Sequence, residues 1–342
     1  MTAAILVTGG GGVGKTTVSA AVAVAAARRG IKTLVVTVDP ARRLANALGI
    51  ELLGSEPSEV PGEPNLWAAM LDATASWEAI ARRHADPEVA ERLIDNDLFR
   101  AATGQFPASQ SYAAAEEATR FVRAGTWDLV VVDTPPSSGG IEFFTAPANM
   151  TDLVGGRLLR WLTGGRIPGR RVLFDVAARP AIRIADAVLG AGLFERVAQF
   201  LLDLRTTYDG IAAQSKEIET ILSTAQTLVV TTADPTPMRE AIAFFRDLPS
   251  VAQRPTTVIF NRTLPGEWVH SAPESPQGEL EENLARWAAE AERQTDLRVQ
   301  FSDRYSTEVT TIGWQPTAPT DLDALESLLT TAGGYSLENL WH

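Results

Sequence analysis

The chain of 342 residues contains no cysteine. Disulfide bonds, zinc sites built from thiolates and other soft-metal sites that use cysteine are therefore excluded. Lysine is almost as rare, because only Lys15, Lys32 and Lys216 occur and all other positive side chains except histidine are arginines. Lys15, which lies inside a run of glycines, is conspicuous against that background.

The sequence also lacks a long apolar run and an excess of positive charge. No stretch approaches the ~20 uninterrupted apolar residues that a membrane span needs, and the first residues contain no basic segment or cleavage site. The formal net charge of -12 disfavours non-specific attraction to nucleic acid or anionic lipid. We therefore expect a soluble, cytoplasmic protein that is not an integral membrane protein and does not bind nucleic acid.

Short apolar runs separated by helical stretches make up most of the remaining pattern. The runs at 3–7 and 33–38 flank a helical stretch at 16–29, which is the pattern of a βαβ unit. Further strands are expected in runs of the same kind, at 66–71, 128–132, 227–231 and 257–260. Most of these runs lack the alternation of half-exposed strands. They predict an α/β fold with a mostly parallel sheet covered by helices on both faces.

Two segments with helical patterns, residues 74–125 and 151–225, interrupt this rhythm. The second has no good strand, and its apolar residues between Leu189 and Leu204 fall at helical spacing. Helices that cover the sheet and a helical subdomain that binds a partner or client both fit this pattern. We expect a single domain over residues 1–342 that carries the two segments as helical insertions.

A glycine-rich loop lies between the first predicted strand and the first predicted helix. Residues 9–17 read Gly-Gly-Gly-Gly-Val-Gly-Lys-Thr-Thr, which satisfies the P-loop spacing G-x-x-x-x-G-K-[ST]. Without side chains, the backbone N–H groups can turn around a β-phosphate, and the following helix adds its positive N-terminal end. Lys15 is predicted to reach the β- and γ-phosphate oxygens, and Thr16 to coordinate Mg²⁺. The predicted nucleotide-binding residues of the loop are Gly11, Gly12, Val13, Gly14, Lys15, Thr16 and Thr17.

Two aspartates that follow predicted strands are the candidate acids of this site. Asp133 directly follows the apolar run 128–132, which is the Walker B form. There it would lie at the carboxyl end of a parallel strand beside the loop, where Mg²⁺ and its waters need an anionic partner. Asp39 follows the second predicted strand and precedes Pro40. By itself this pattern fits a helix cap as well as a catalytic acid.

The loop residues 11–17 resemble the deviant Walker A motif of the ATPase group that includes MinD, ParA, the nitrogenase iron protein and the arsenical-pump and tail-anchored-protein targeting ATPases. Residues 39–49 are similar to the first switch of the arsenical-pump and targeting subgroup, and residues 137–147 resemble its second switch. The resemblance is closest to the ArsA-like, or guided-entry-like, ATPases. It implies a P-loop NTPase with a helical subdomain, ATP hydrolysis coupled to conformational change, and a homodimer or a pairing with a related subunit.

The resemblance also implies roles for single residues. In the family, the acid aligned with Asp39 positions or activates the attacking water, and Asn261 stands in the position of an adenine-contacting asparagine. Residues 313–316 are expected to form the opposite wall of the base pocket. No guanine-binding Asn/Thr-Lys-x-Asp motif occurs, so ATP is expected rather than GTP. The expected catalytic residues are Asp39 and Lys15, and the expected Mg²⁺ residues, directly or through water, are Thr16 and Asp133.

The sequence departs from the family pattern in several places. Gly10 stands where the family carries a signature lysine that reaches the partner's nucleotide across a dimer. Without cysteine there is neither the arsenite site nor the zinc-holding cysteine pair of the family. Methionine, which lines the client groove of the targeting factors, occurs only at positions 1, 70, 150 and 238. Three functions stay open: a Mg-dependent ATPase switch acting on a client, a non-catalytic ATP-binding subunit or scaffold, and a MinD- or ParA-like positioning ATPase.

Overall fold

The computed structural model describes residues 2–39, 41–105, 107–135, 141–155, 193–248, 255 and 257–330. The chain forms two compact units. The sheet unit comprises Met1–Leu71, Glu117–Phe144 and Ile221–His342, and the helical unit comprises Asp72–Glu116 and Thr145–Thr220. Each unit is therefore assembled from segments that are separated in the sequence.

The sheet unit is built on one parallel sheet with a single antiparallel edge. Its strands are β1 (Ala3–Gly9), β2 (Thr33–Thr37), β3 (Ser58–Val60), β4 (Glu63–Met70), β5 (Leu129–Asp133), β6 (Gln226–Thr231), β7 (Thr257–Thr263) and β8 (Glu308–Gly313). Their spatial order is β3-β4-β2-β5-β1-β6-β7-β8. All neighbouring pairs are parallel except β3 with β4. The predicted α/β class with a mostly parallel sheet is confirmed.

The described residues form twelve α-helices. They are α1 (Lys15–Arg28), α2 (Arg43–Ala47), α3 (Ala73–His84), α4 (Pro87–Ile94), α5 (Asp97–Gln105), α6 (Pro107–Ala124), α7 (Ile141–Gly155), α8 (Leu193–Thr206), α9 (Tyr208–Thr224), α10 (Pro235–Asp247), α11 (Glu279–Tyr305) and α12 (Leu322–Thr330). A short 3₁₀ helix covers Gly266–His270. No helix in the described part of the chain is long and apolar enough to cross a membrane.

Helix α1 is the central helix of the sheet unit and places the glycine loop. Residues 18–27 of this helix are alanine, valine and one serine, and all of them are buried. A helix that is apolar almost all round must be covered on every side, and α1 packs against β2, β4, α2 and α12. Because α1 follows β1 after the short loop, its first turn lies near the carboxyl end of β1, the strand that lies between β5 and β6.

Strands β3 and β8 were not predicted, because neither has a buried apolar run. β3 is three residues long, mostly exposed, and pairs antiparallel with β4 at one edge of the sheet. β8 forms the other edge, and the exposure of its side chains varies along the strand. Edge strands bury less of their surface, so their sequences need fewer consecutive apolar residues.

The helical unit has its own aromatic core. The Trp77 ring stacks on Tyr112 with ring centroids 5.4 Å apart and meets Phe99 edge-on. Its indole Nε1 donates to the Ser109 carbonyl at 3.0 Å, so the polar atom of this buried ring is satisfied. The described residues 73–105 and 193–220 are almost entirely helical. Pro40, residues 136–140, which include the first four residues of the expected second switch, and residues 156–192 with Leu189 lie outside the described residues.

Candidate nucleotide-binding site

The glycine loop joins β1 to α1, and three of its glycines, Gly9, Gly12 and Gly14, have backbone conformations that side chains disfavour. Gly12 and Gly14 have φ values of 77° and 97°, in the left-handed region that side chains disfavour. At Gly14 an added Cβ would also run into the side-chain amide of Asn261. Gly14 is the residue before α1, so the free N–H groups of the first turn of the helix follow the loop directly.

Lys15 is buried at the base of the loop. Its Nζ donates to the Gly9 carbonyl at 3.0 Å and to the Gly10 carbonyl at 2.8 Å. Burial lowers the pKa of Lys15, and the nearby carboxylates of Asp133 and Glu240 oppose that shift. The ammonium is thus held within the loop, where it can exchange carbonyl oxygens for phosphate oxygens.

Asp133 ends β5 and accepts hydrogen bonds from three hydroxyl groups, of which the Ser19 Oγ is the most distant, 3.5 Å from Oδ1. Its Oδ2 lies 2.8 Å from both the Thr16 Oγ1 and the Thr37 Oγ1. Burial raises the pKa of Asp133, and these two hydroxyl donors and Lys15 hold it down. A buried carboxylate beside hydroxyl oxygens is a set of hard oxygen donors that suits Mg²⁺ and its water ligands. The residues predicted to hold the metal, Thr16 and Asp133, therefore do meet in one place.

Asp39 follows β2 and has both of its carboxylate oxygens engaged. Oδ1 accepts from the Ala41 backbone N–H at 2.9 Å, and Oδ2 pairs with the Arg43 guanidinium at 3.0 Å. Its own backbone N–H donates to the Thr37 Oγ1 at 3.1 Å. Asp39 thus shapes the turn before α2 and also lines a cavity beside the glycine loop. Its role toward water stays a prediction.

Asn261 connects β7 to the glycine loop through a hydrogen bond. Its Nδ2 donates to the Val13 carbonyl at 2.8 Å, and its Oδ1 accepts from the Arg262 backbone N–H at 2.9 Å. A side-chain amide carries two N–H donors and two acceptor lone pairs. One donor and one lone pair therefore remain for an adenine edge, and the same side chain also supports the loop.

Two adjoining cavities connect these residues. The larger cavity, about 530 Å³, is lined by Gly11, Gly12, Gly14, Lys15, Thr16, Thr17, Asp39, Arg43, Asn46, Ala47, Asp133, Thr134, Arg262, Ala318, Pro319 and Thr320. The smaller cavity, about 240 Å³, is lined by Gly14, Thr17, Asn261, Arg262, Ile312, Gly313, Trp314, Gln315, Thr317, Ala318, Pro319 and Leu328. The predicted phosphate, metal and water residues thus line the larger cavity, except Val13, which is buried and lines neither cavity. Asn261 and residues 313–315 of the expected base wall line the smaller one.

A family comparison decides between the P-loop classes. The model of the anion-transporting ATPase family matches residues 2–312. The chain belongs to this family. Among its curated relatives, an uncharacterized protein of Streptomyces coelicolor is 30% identical over 237 residues, which cover 68% of this chain and 55% of the relative.

Two eukaryotic relatives have more specific names. The ATPase ASNA1 homolog of Entamoeba histolytica is 30% identical over 161 residues, which cover 44% of this chain and 47% of that protein. The ATPase GET3 of Podospora anserina is 28% identical over 145 residues, or 42% of each chain. The chain thus spans about half the length of these curated relatives.

The site of this anion-transporting ATPase family member contains side chains that sequence patterns did not single out. Thr37 reaches Asp133 because β2 and β5 are paired with these two residues side by side, which only the strand order reveals. A Cβ at Gly10 would meet the end of the Glu240 carboxylate from α10. Arg262 lines both cavities, and its one sequence signal is its place directly after Asn261.

Proposed function

We propose that this protein binds ATP with Mg²⁺, hydrolyses it, and uses the resulting conformational change to act on a protein client or partner. The observation that carries the proposal is the meeting of Lys15, Thr16, Asp39 and Asp133 around one cavity. A lysine, a hydroxyl and two carboxylates at these places supply the parts that phosphoryl transfer requires: charge neutralisation, metal support and an oriented water.

The phosphates would be bound by the loop and by the start of α1. The N–H groups around Gly12 and Gly14 would turn toward the phosphates, and the N-terminus of α1 would add partial positive charge. Lys15 neutralises the β- and γ-phosphates. Bound Mg²⁺ would stabilise the charge that develops on the phosphate oxygens, and Thr16 and Asp133 would hold it directly or through water.

Asp39 would orient the attacking water. The water oxygen bonds to the γ-phosphorus, the bond from that phosphorus to the β-γ bridging oxygen breaks, and ADP leaves with the electron pair. One proton of the water passes to an oxygen of the phosphate that forms. Because the Arg43 guanidinium neutralises one side of the carboxylate, Asp39 acts mainly as a hydrogen-bond acceptor that aligns the water. Asn261 would present its remaining donor and acceptor to adenine, which favours ATP over GTP.

A second candidate function is a non-catalytic ATP-binding subunit. The observation that favours it is the missing cation at Gly10, where the space for a side chain is taken by the Glu240 carboxylate. A carboxylate at this end of the loop does not stabilise negative charge that develops on the γ-phosphate. Turnover by the leading mechanism is therefore expected to be slow or to require an activating partner.

The test compares the wild-type protein with Asp39→Asn in steady-state ATP hydrolysis, with nucleotide binding measured in parallel. Asparagine still accepts from the Ala41 N–H, so the turn before α2 is kept. We expect turnover to fall at least about tenfold while the dissociation constant changes little. Asp303→Asn, an exposed position on α11, is the matched control and should keep full turnover.

The other outcomes separate the candidates. Tight ATP binding with equal turnover in the wild type and in Asp39→Asn would reject hydrolysis through Asp39 and favour the binding subunit. Absence of ATP binding by the wild type would reject both candidates.

A further inference from the structure

Arg262 lies in an unfavourable backbone conformation. Its φ is 59°, in the left-handed region, and among the described residues only Arg42 and Ser306 share a positive φ without being glycine. The strand register of β7 against β8 shifts between Asn261 and Thr263, which marks a β-bulge. A bulge re-aims the side chain at its centre, and strained backbone of this kind is concentrated at functional sites.

The bulge is held open by hydrogen bonds on both sides of Arg262. The Arg262 N–H donates to the Asn261 Oδ1 at 2.9 Å, and the Trp314 N–H donates to the Thr263 carbonyl at 2.8 Å. Asn261 is itself bound to the loop through Val13. The conformation of Arg262 is therefore imposed by the same contacts that join β7 to the nucleotide loop.

Arg262 lines both cavities, and its guanidinium forms no ion pair within the described part of the chain. Lys15 is bonded to loop carbonyls and Arg43 is paired with Asp39, whereas the Arg262 side chain makes no hydrogen bond or ion pair with any described residue. It is exposed and lines both cavities where they meet at Gly14.

We propose that Arg262 is a nucleoside-binding residue, whose guanidinium plane covers the base and ribose of the nucleotide. The inference rests on the proposed nucleotide-binding function. In the smaller cavity Arg262 shares the lining with Asn261, Ile312 and Trp314, an apolar and amide setting that suits a base better than a phosphate. Guanidinium planes stack on nucleobases and aromatic rings, and they carry donors for sugar oxygens. Phosphate binding already has Lys15 and the N-terminus of α1.

Replacement of Arg262 by glycine separates function from structure. Glycine adopts a left-handed φ without strain, so Arg262→Gly is expected to raise or preserve the melting temperature. The same variant should bind ATP and ADP about tenfold more weakly, which corresponds to about 1.4 kcal/mol. Binding of tripolyphosphate, which has no base or ribose, should be unchanged. Isothermal titration calorimetry and thermal denaturation of the full chain provide the two readouts.

Ser306→Gly is the matched control, because Ser306 also has a left-handed φ, of 50°, and follows the end of α11 without lining either cavity. It should gain stability with no change in nucleotide binding. Arg262→Lys keeps the charge but loses the planar group, so it should restore only part of the affinity.

Three results would overturn the inference. Equal ATP affinity in Arg262→Gly and the wild type would show that the guanidinium does not contact the nucleotide. An equal loss of tripolyphosphate affinity would assign Arg262 to the phosphates instead. If the wild type bound tripolyphosphate but neither ATP nor ADP, the proposed function would fail and this inference with it.

Discussion

Thr37 shows how single side chains tune the site. Its hydroxyl donates to Asp133 and accepts from the backbone N–H of Asp39, so one small group contacts both acids. A hydrogen bond to a charged group contributes more than one between neutral groups, about 1.5–3 kcal/mol. The position of Thr37 at the end of β2 therefore matters for the metal residue and for the predicted water-orienting residue together.

We predict that Thr37→Val weakens Mg²⁺-dependent ATP binding about tenfold and lowers the free energy of unfolding by about 1.5–3 kcal/mol. Valine keeps the shape and the strand preference but removes the hydroxyl, which leaves Asp133 with one fewer donor to its charged form. Calorimetric titrations with and without Mg²⁺, together with urea denaturation, measure both effects.

Thr33→Val is the control on the same strand. Thr33 is buried like Thr37, but its hydroxyl donates to the Ile31 carbonyl at the other end of β2. It should lose some stability and keep its response to Mg²⁺. An unchanged response to Mg²⁺ in Thr37→Val would contradict the importance of that hydroxyl for the metal site.

At the scale of elements, α3 and α9 of the helical unit approach each other closely at one glycine. The His84 ring of α3 lies directly against Gly210 of α9, where a Cβ would collide with it. Arg83, the neighbour of His84, forms an ion pair with the buried Glu116 of α6. Burial and the Arg83 charge lower the pKa of His84, so the neutral imidazole is the form that fits this contact.

We predict a loss of stability of the helical unit in acid that depends on His84. Its pKa in the folded protein lies below the ordinary value of 6.5, so the unfolded chain binds the proton more tightly. The free energy of unfolding should therefore fall as pH drops below 6.5 through the folded pKa, and this contribution should be constant above that window. Urea denaturation at about one pH unit above and about one pH unit below pH 6.5 measures the change in the free energy of unfolding.

His84→Gln removes the titrating group and keeps a polar side chain of similar reach. Its pH dependence between the same two conditions should be smaller than that of the wild type. Equal slopes for the two proteins would show that other groups, and not His84, control stability in this range.

At the scale of the whole molecule, we propose that bound ATP controls dimer formation, because the chain belongs to the anion-transporting ATPase family. The ATPases that the sequence resembles carry a signature lysine that reaches the partner's nucleotide across the dimer. This chain has glycine at that position, Gly10. Cysteine is absent too, so a dimer cannot be joined by a shared zinc ion on thiolates. Any dimer of this chain must be held by other contacts.

We predict that the chain of 36.7 kDa doubles its mass when ATP and Mg²⁺ are bound. Sedimentation equilibrium of Asp39→Asn, which should hydrolyse bound ATP at least about tenfold more slowly, measures the mass at saturating nucleotide. ADP and removal of Mg²⁺ with EDTA are expected to return it to the smaller species. A constant monomer mass with bound ATP would reject the homodimer and leave a related subunit as the partner to seek.

The sequence by itself predicted the fold class, the buried strands β1, β2 and β4–β7, and the location of the phosphate loop. These features depend on residues that are close together in the sequence, because a buried strand needs an unbroken apolar run and a P-loop needs glycines at a fixed spacing. The candidate acids Asp39 and Asp133 were visible for the same reason, since each directly follows such a run.

Only the tertiary structure decided which distant residues meet. Strand order and register put Thr37 beside Asp133, and the approach of β7 to the loop makes Asn261 a support for Val13. The bulge that aims Arg262 into the cavities depends on hydrogen bonds to Asn261 and from Trp314. These contacts join residues far apart in the chain, and their formation depends on the packing of the whole sheet rather than on any local pattern of residues.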